Sequence, residues 1–397
     1  MLLSATIISL IVWIGLALGW HGFWRCDQRL DRKTDEPIDA LWPSVTALIP
    51  ARDESATITP VLKALCDQNY PGVLKIIVID DHSSDNTADQ VHKLMSKMEE
   101  TDRLSLISAA TLAPGWKGKV WALHCGLEHI KGQGEQTDWI WLTDADIVHG
   151  RKTLSRLITK AQNDNRDLVS IMAMLNQTIF WEKQLLPAFI FFFQMLYPFA
   201  AVQNPKSNIA GAAGGCIIVK CKALEQSGGF KALSSAMIDD CSLGSLVKKN
   251  GGRLWLGFDD ETRSIRNSNG LSDLWQMVRR SAYAQLRYSA SLLTGCILMM
   301  MLLFLVPPLA FFQGLIQGST ALAFTGFLAY AIMIGIYLPS LRLNNRSGWQ
   351  SPGLPIVALA YTAMTLASAW DHWSGRGSQW KGRAYADPAS RGFLAED

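Results

Sequence analysis

Charge is scarce in this chain: of 397 residues only 18% are Asp, Glu, Lys or Arg, against about a quarter in an ordinary soluble domain. With 49% hydrophobic residues, the composition excludes a disordered chain and a small disulfide scaffold. Neither sign of charge dominates. The 37 basic and 34 acidic residues leave a net +3, so the broad basic field that nucleic-acid binding needs is missing and nucleic acid is set aside as a partner. The seven cysteines show no CxxC spacing, which removes a zinc ribbon and a dithiol redox motif, and their odd number suits a reducing compartment. There is no GxGxxG and no GxxxxGK[ST] either. A nucleotide would need another means of holding its phosphates.

Long uncharged runs lie toward both ends of the chain. Leu2 to Trp20 has no charged side chain, enough apolar length at 1.5 Å per residue to cross a bilayer. The run lacks the basic leader and small-residue cleavage site of a signal peptide, so it is expected to stay as a spanning helix. Arg25, Arg29, Arg32 and Lys33 follow it and place the next domain in the cytoplasm. From Tyr288 to Leu341 no charged residue or histidine occurs, and two helices are expected at about 290 to 312 and 321 to 341. A third apolar run, Leu354 to Trp370, is short. A full crossing there would carry Arg376, Lys381, Arg383 and Arg391 to the far side, against the positive-inside rule; a re-entrant or interfacial run would not.

Between Trp42 and about Arg287 short β-branched apolar runs alternate with helical segments. VTALIP (45–50), LKIIVID (74–80), LSLIS (104–108) and WIWLTD (139–144) read as strands, and 59–68 and 87–98 as helices. This βαβα order predicts a mostly parallel sheet with helices on both faces. Ligands then bind beyond the carboxyl ends of the strands. Asp80 and Asp81 stand at one such end, followed by Ser83, Ser84, Asp85 and Thr87, a set able to bind a nucleoside or to cap the next helix. Asp144 and Asp146 follow another strand in TDADI. Carboxylates two residues apart there can share one hard cation, since Mg²⁺ takes one or two carboxylates plus substrate phosphates; a solvated turn is the plainer role. Asp239 and Asp240 open a helix, as favourable charge at its N-terminus or as a general base. GAAGGC (211–216) is a glycine loop before a strand. The apolar stretch Leu185 to Val202, broken by Pro187, Gln194 and Pro198, separates Asp144 from Asp240. A crossing would divide their site, so an interfacial or buried helix is expected, with Phe191 and Phe192 beside a lipid path.

Four motifs in register, IPARDE (49–54), DDHSSDNT (80–87), DAD (144–146) and IDD (238–240), resemble the family-2 glycosyltransferases over about residues 42–285. GWKGKVWAL (115–123) is similar to a further family segment. QMVRR (276–280) resembles the QxxRW signature with Arg280 in place of Trp, while Gln285, Arg287 and Tyr288 offer a second match one residue too short. Within the family the chain looks most like the hopene-associated membrane enzymes, relatives of the ceramide glucosyltransferases. The resemblance implies a glycosyltransferase-A-type α/β fold with α-helical transmembrane segments and an inverting transfer from a nucleotide-diphosphate sugar to a membrane lipid. It assigns Asp240 as catalytic base and Asp144 and Asp146 to Mg²⁺ or Mn²⁺. Ala51, Glu54, Asp81, Lys119, Asp144, Gln276, Arg279 and Arg280 would bind the donor. The expected organisation is a transmembrane helix (1–21), a basic linker (22–41), a cytoplasmic transferase domain (42–287), a transmembrane region (288–373) and a polar tail (374–397), in a multi-pass protein of the inner membrane.

Overall fold

The computed structural model describes residues 1–31, 42–97, 103–134, 136–268, 270–375, 379–380 and 383–384. Arg32, Lys33, Arg376, Lys381 and Arg391, all used above to orient the chain, lie outside the described residues. After helix α1 (Leu2–Gly19), strands and helices alternate: β1 (Val45–Ala51), α2 (Ile58–Cys66), β2 (Leu74–Asp80), α3 (Thr87–Lys97), β3 (Leu104–Ser108), α4 (Gly118–Gly132), β4 (Trp139–Thr143), β5 (Ile147–Val148), α5 (Thr153–Asn163) and β6 (Leu168–Met174). Then come α6 (Phe180–Leu196), α7 (Phe199–Gln203), β7 (Cys216–Lys220), α8 (Cys221–Gln226), α9 (Asp239–Lys249) and β8 (Leu254–Ser264).

The eight strands lie in the order β3-β2-β1-β4-β7-β6-β8-β5. β3, β2, β1 and β4 are mutually parallel, as the βαβ pattern predicts. β7 is antiparallel to both β4 and β6, and β5 is antiparallel to β8, so the sheet is mixed. β7 reverses because the chain returns to the sheet from α6 and α7 rather than through a right-handed crossover. Every residue of β1 and β4 is buried, because helices cover both faces of these inner strands. One core lies between the sheet and α4, α7 and α9, the other beneath α2, α3 and α5.

Residues 28–31, after α1, dock on the sheet domain. Leu30 N–H donates to Phe258 O and Phe258 N–H to Gln28 O, each at 2.8 Å, so the chain pairs with β8. Arg156, buried against Asp259 at 2.8 Å, also donates to Leu30 O and Asp31 O.

Segment 271–287 forms two short helices, α10 (Leu271–Arg279) and α11 (Ala282–Gln285), and ends where Arg287 and Tyr288 take positive φ. Beyond it run α12 (Ala290–Met300), a π-helical turn at Met301–Leu305, α13 (Val306–Ile316), α14 (Thr320–Leu343) and α15 (Leu354–Trp373). The wide turn immediately precedes Pro307 and Pro308, which lack the N–H that a regular helix would use. α13 and α14 are packed tightly: a Cβ on Gly314 would lie 2.3 Å from the Ala323 nitrogen.

Five helical stretches among the described residues are long and apolar enough to cross a membrane. Their ends distinguish their paths. α14 finishes at the sheet domain, with Leu343 in its core and Asn344 bonded to Gln177. The chain then doubles back along α14: Ser351 Oγ donates to Ile334 O at 2.6 Å and Tyr330 Oη to Pro352 O at 2.7 Å. α15 returns to the end it left, where Tyr283 N–H donates to Ser368 Oγ at 3.0 Å and His372 stacks on Tyr288 at 4.5 Å. Segment 345–373 thus leaves the sheet-domain end of α14 and comes back to the same end of the bundle. α6 is a buried helix wedged between bundle and sheet domain, 61% of its apolar stretch being enclosed. Phe191 packs between Phe23 and Tyr337, and Phe192 against Phe304 and Tyr361. Phe191 is fully buried and fastens the bundle to the domain, while Phe192 stays half-buried beside it. These chain directions predict that, in membranes, a cysteine at Ser319 reacts with an impermeant maleimide from the face opposite to cysteines at Ser207 and Ser374. Labelling of positions 319 and 374 from one face would show that α15 crosses.

Candidate functional site

The carboxyl ends of β1, β2 and β4 point the same way, and the loops that follow them meet α9 and the glycine loop before β7 at one edge. Lys119, in the first turn of α4, stands at the centre. Its Nζ is 2.8 Å from Asp144 Oδ1 and 3.4 Å from Asp239 Oδ2. Burial acts to discharge this ammonium, but Asp144 and Asp239 outweigh it and keep Lys119 firmly protonated.

Asp240 opens α9 and turns back to the glycine loop, where Gly214 N–H donates to Oδ2 at 2.7 Å and Cys241 N–H to Oδ1 at 2.8 Å. Burial, followed by the charge of Asp239, pushes its carboxyl up to about 6, while Lys119 and the two N–H groups restrain the rise. Asp144 is likewise raised by burial and by Asp146, with Lys119 opposing. The stretch 185–202 therefore does what the sequence demanded of it: the chain leaves after β6, traverses α6 and α7, and returns Asp240 to the pocket of Asp144. That pocket sets Lys119, Asp144, Asp239 and Asp240 against apolar walls of Leu123, Phe230 and Leu243.

Glu54 and Asp146 form the second half of the site. Arg266 Nη2 lies 2.7 Å from Glu54 Oε1 and its Nε 3.0 Å from Asp146 Oδ2. Among the described residues no cluster of three His, Cys, Asp or Glu side chains is arranged to hold a metal ion. Asp144 and Asp146 fit one only as a two-carboxylate hard-oxygen set completed by phosphate oxygens, a donor chemistry that suits Mg²⁺ or Mn²⁺.

The DDHSSDNT stretch divides its two expected roles. Asp85 caps α3 through Thr87 N–H at 2.9 Å and accepts from Ser55 N–H. Partial burial notwithstanding, these bonds and the Thr87 hydroxyl hold its carboxyl down to about 2. Asp81 is fully buried beneath Arg52, and its N–H donates to Ala51 O at 2.8 Å. Its carboxylate lies 3.9 Å from Arg52 Nη1, a neighbour the sequence did not reveal. Gln276, Arg279 and Arg280 stand apart from the cluster: α10 packs on α15, α11 and α6, and Arg279 pairs with Asp371. Gln285, from the shorter match, instead bonds the hydroxyl of Tyr197, whose ring covers Gly211 in the glycine loop. Arg266 belongs to no motif. Its only sequence signal is position, just after a strand end.

Residues 46–228 match the model of Glycosyl transferase family 2, so the sheet domain carries a glycosyltransferase domain of that family; Asp239, Asp240 and Arg266 lie beyond the matched stretch. The chain is 34% identical over 125 residues to a probable glycosyltransferase, YdaM, of Bacillus subtilis, covering 31% of this chain and 28% of that one. It is 30% identical over 155 residues to a beta-monoglucosyldiacylglycerol synthase of Nostoc, covering 38% of this chain and 31% of the relative. The matched stretches thus span less than a third of these relatives' length. In fold it is similar to the mannosyltransferase of Pyrobaculum calidifontis solved with GDP-Man and Mn²⁺, with a TM-score of 0.57 at 19% identity over 94% of this chain and 99% of that one.

A Cβ placed on Gly214 would lie 3.2 Å from Asp240 Oδ2 and 3.3 Å from Lys119 Nζ. Gly214→Ala is expected to lower turnover about tenfold or more, each tenfold being ~1.4 kcal/mol of lost transition-state stabilisation, with little change in thermal unfolding. Unchanged turnover in a membrane assay would show that the Gly214–Asp240 contact is not needed.

Proposed function

We propose that this protein is an inverting membrane glycosyltransferase that moves a sugar from a nucleotide-diphosphate donor to the hydroxyl of a membrane lipid, with a hopanoid-related acceptor as the class its motifs most resemble. The observation that carries this reading is Asp240: a carboxylate fixed by two backbone N–H groups, raised to about 6, beside a lysine-bridged aspartate at the end of β4. Asp240 takes the proton of the acceptor hydroxyl as that oxygen attacks the anomeric carbon from the face opposite the leaving diphosphate. Its two N–H donors fix which oxygen lone pairs remain for the substrate. Asp144 and Asp146 would hold a divalent cation, which when bound supplies positive charge to the leaving diphosphate. Lys119 offsets part of the repulsion among Asp144, Asp239 and Asp240 and so holds them in one pocket. One carboxylate suffices as base because the leaving group departs as an anion that cations stabilise, rather than by protonation. Ala51, Glu54 and Asp81 line the nucleoside end. Homologues that glycosylate diacylglycerol support a lipid acceptor, and the apolar helices support a multi-pass protein of the inner membrane with residues 42–287 in the cytoplasm.

Membranes containing the protein, incubated with a panel of radiolabelled nucleotide sugars and then extracted, are expected to yield lipid-soluble label with one donor. Asp144→Ala, Asp146→Ala and Asp240→Asn should abolish it; full activity of Asp240→Asn would replace the hydroxyl acceptor by a polyprenyl phosphate, which needs no base. The pH dependence follows from the base being active only when ionised. Turnover should be level above about pH 6 and fall about tenfold per unit below it. Lys119 lowers the Asp240 value, so Lys119→Gln should move the inflection to higher pH; an unmoved inflection would assign it to another group.

A further inference from the structure

Arg266 reaches back over the site from a segment that no motif covers, two residues beyond the end of β8. Its Nε is 3.0 Å from Asp146 Oδ2, and its Nη2 is 2.7 and 2.9 Å from the two oxygens of Glu54. The backbone beneath it is anchored to the same loop. Ser264 Oγ donates to Asp146 Oδ2 at 3.0 Å, and Ile265 N–H to Asp146 O at 2.9 Å. Glu54 and Asp146 keep only 10% and 14% of their side-chain surface, while Arg266 keeps 46%. The two carboxylates are therefore fixed and the cation between them has room to swing outward. One joins the proposed metal ligands and the other lies at the proposed nucleoside end, so a single side chain spans both halves of the donor site.

We propose that Arg266 is a resident counter-cation: it holds the place of the divalent cation at Asp146 while the donor is absent, and turns to the donor's phosphate when cation and nucleotide bind together. The inference rests on the donor-site reading above. The Asp146 oxygen that accepts from Arg266 cannot be given wholly to a metal while that bond persists. A divalent cation arriving alone must displace a guanidinium that then has only Glu54 and water. A cation arriving with a diphosphate brings anionic oxygens for the displaced guanidinium, which pairs with phosphate in bidentate fashion. Metal and nucleotide then raise each other's affinity by one common factor.

The test is direct binding to the full-length protein in detergent micelles, with free Mn²⁺ followed by electron paramagnetic resonance, alone and with UDP or GDP. In the wild type Mn²⁺ alone should bind weakly, and one of the two nucleotides should tighten it about tenfold or more, within the usual range of coupling between sites. Arg266→Gln should bind Mn²⁺ alone about tenfold more tightly than the wild type and lose most of the enhancement by nucleotide. Equal or weaker Mn²⁺ binding in Arg266→Gln, with wild-type enhancement intact, would overturn the role of Arg266 and leave the donor site standing. No enhancement by either nucleotide at millimolar concentration in the wild type would overturn the donor site itself. Arg266→Lys keeps a charge but cannot span both carboxylates, and should fall between the two; if Arg266→Gln does not fold, equality of the lysine variant with the wild type overturns the proposal.

Discussion

Everything at the carboxyl edge of the sheet depends on neutralising carboxylates crowded where water is scarce. Glu54, Asp144, Asp146, Asp239 and Asp240 come from three different segments, after β1, after β4 and at the start of α9, and converge on one edge. Such a cluster costs more to bury than any single acid, because each charge disfavours its neighbours. Two cations make it tenable. Lys119 serves the half containing the proposed base, and Arg266 serves the half containing Glu54. The backbone N–H groups of Gly214 and Cys241 add fixed partial charge that needs no counter-ion. The geometry of the site is thus a solution to an electrostatic problem before it is a solution to a chemical one.

The same edge faces the apolar bundle, and the connection is made by α6. This helix has the composition of a membrane span but serves two cores: Ile190 joins that of the sheet domain, while Leu185, Leu186 and Phe191 join that of the bundle. A helix apolar on all sides must be surrounded, by lipid or by protein. Here protein encloses most of it, with α14, α15 and the short turn at Phe23–Arg25 packed against it, while Phe180, Trp181 and Leu196 stay exposed at its ends. Because the chain goes out through α6 and comes back through α7, β7 is delivered antiparallel, and the glycine loop before β7 arrives where Asp240 needs its N–H. The mixed sheet, the buried apolar helix and the fixed orientation of the base are consequences of one excursion of the chain.

Local pattern carried much of this into the sequence. The parallel half of the sheet was legible because β1, β2 and β4 are buried runs of β-branched and aromatic residues separated by amphipathic helices, and strand ends then pointed to Asp81, Asp144 and Asp146. The convergence of Asp144 with Asp240 was legible by a chemical argument across the intervening hydrophobic stretch. What escaped depends on contacts distant in sequence. Arg266 has no local signature, since a guanidinium after a strand usually meets water. The burial of Asp81 beneath Arg52, the antiparallel entry of β7 and the return of α15 toward Asp371 and His372 are all settled by tertiary packing rather than by period or propensity. Phe191 shows the limit of hydropathy: a buried ring and a lipid-facing one read alike in an aromatic run.

The break at residues 280–288 shows why a spacing motif failed there. A continuous helix from 271 to 287 would put Gln276, Arg279 and Arg280 on an unbroken surface and give the QMVRR match one fixed direction. The break after α10, followed by positive φ at Arg287 and Tyr288, turns the second half of the segment independently of the first. α10 is then committed to α15 through Arg279 and Asp371, while Gln285 is directed to Tyr197 beside the glycine loop. Left-handed backbone at two consecutive non-glycine residues persists only where surrounding contacts hold it, and here they do: Tyr283 Oη donates to Tyr288 O at 2.9 Å, and the Tyr288 ring stacks on His372. The returning helix α15 therefore does more than bring the chain back along α14. By holding Tyr288 it fixes the turn that orients Gln285, so the apolar bundle sets the position of a polar group next to the proposed catalytic loop.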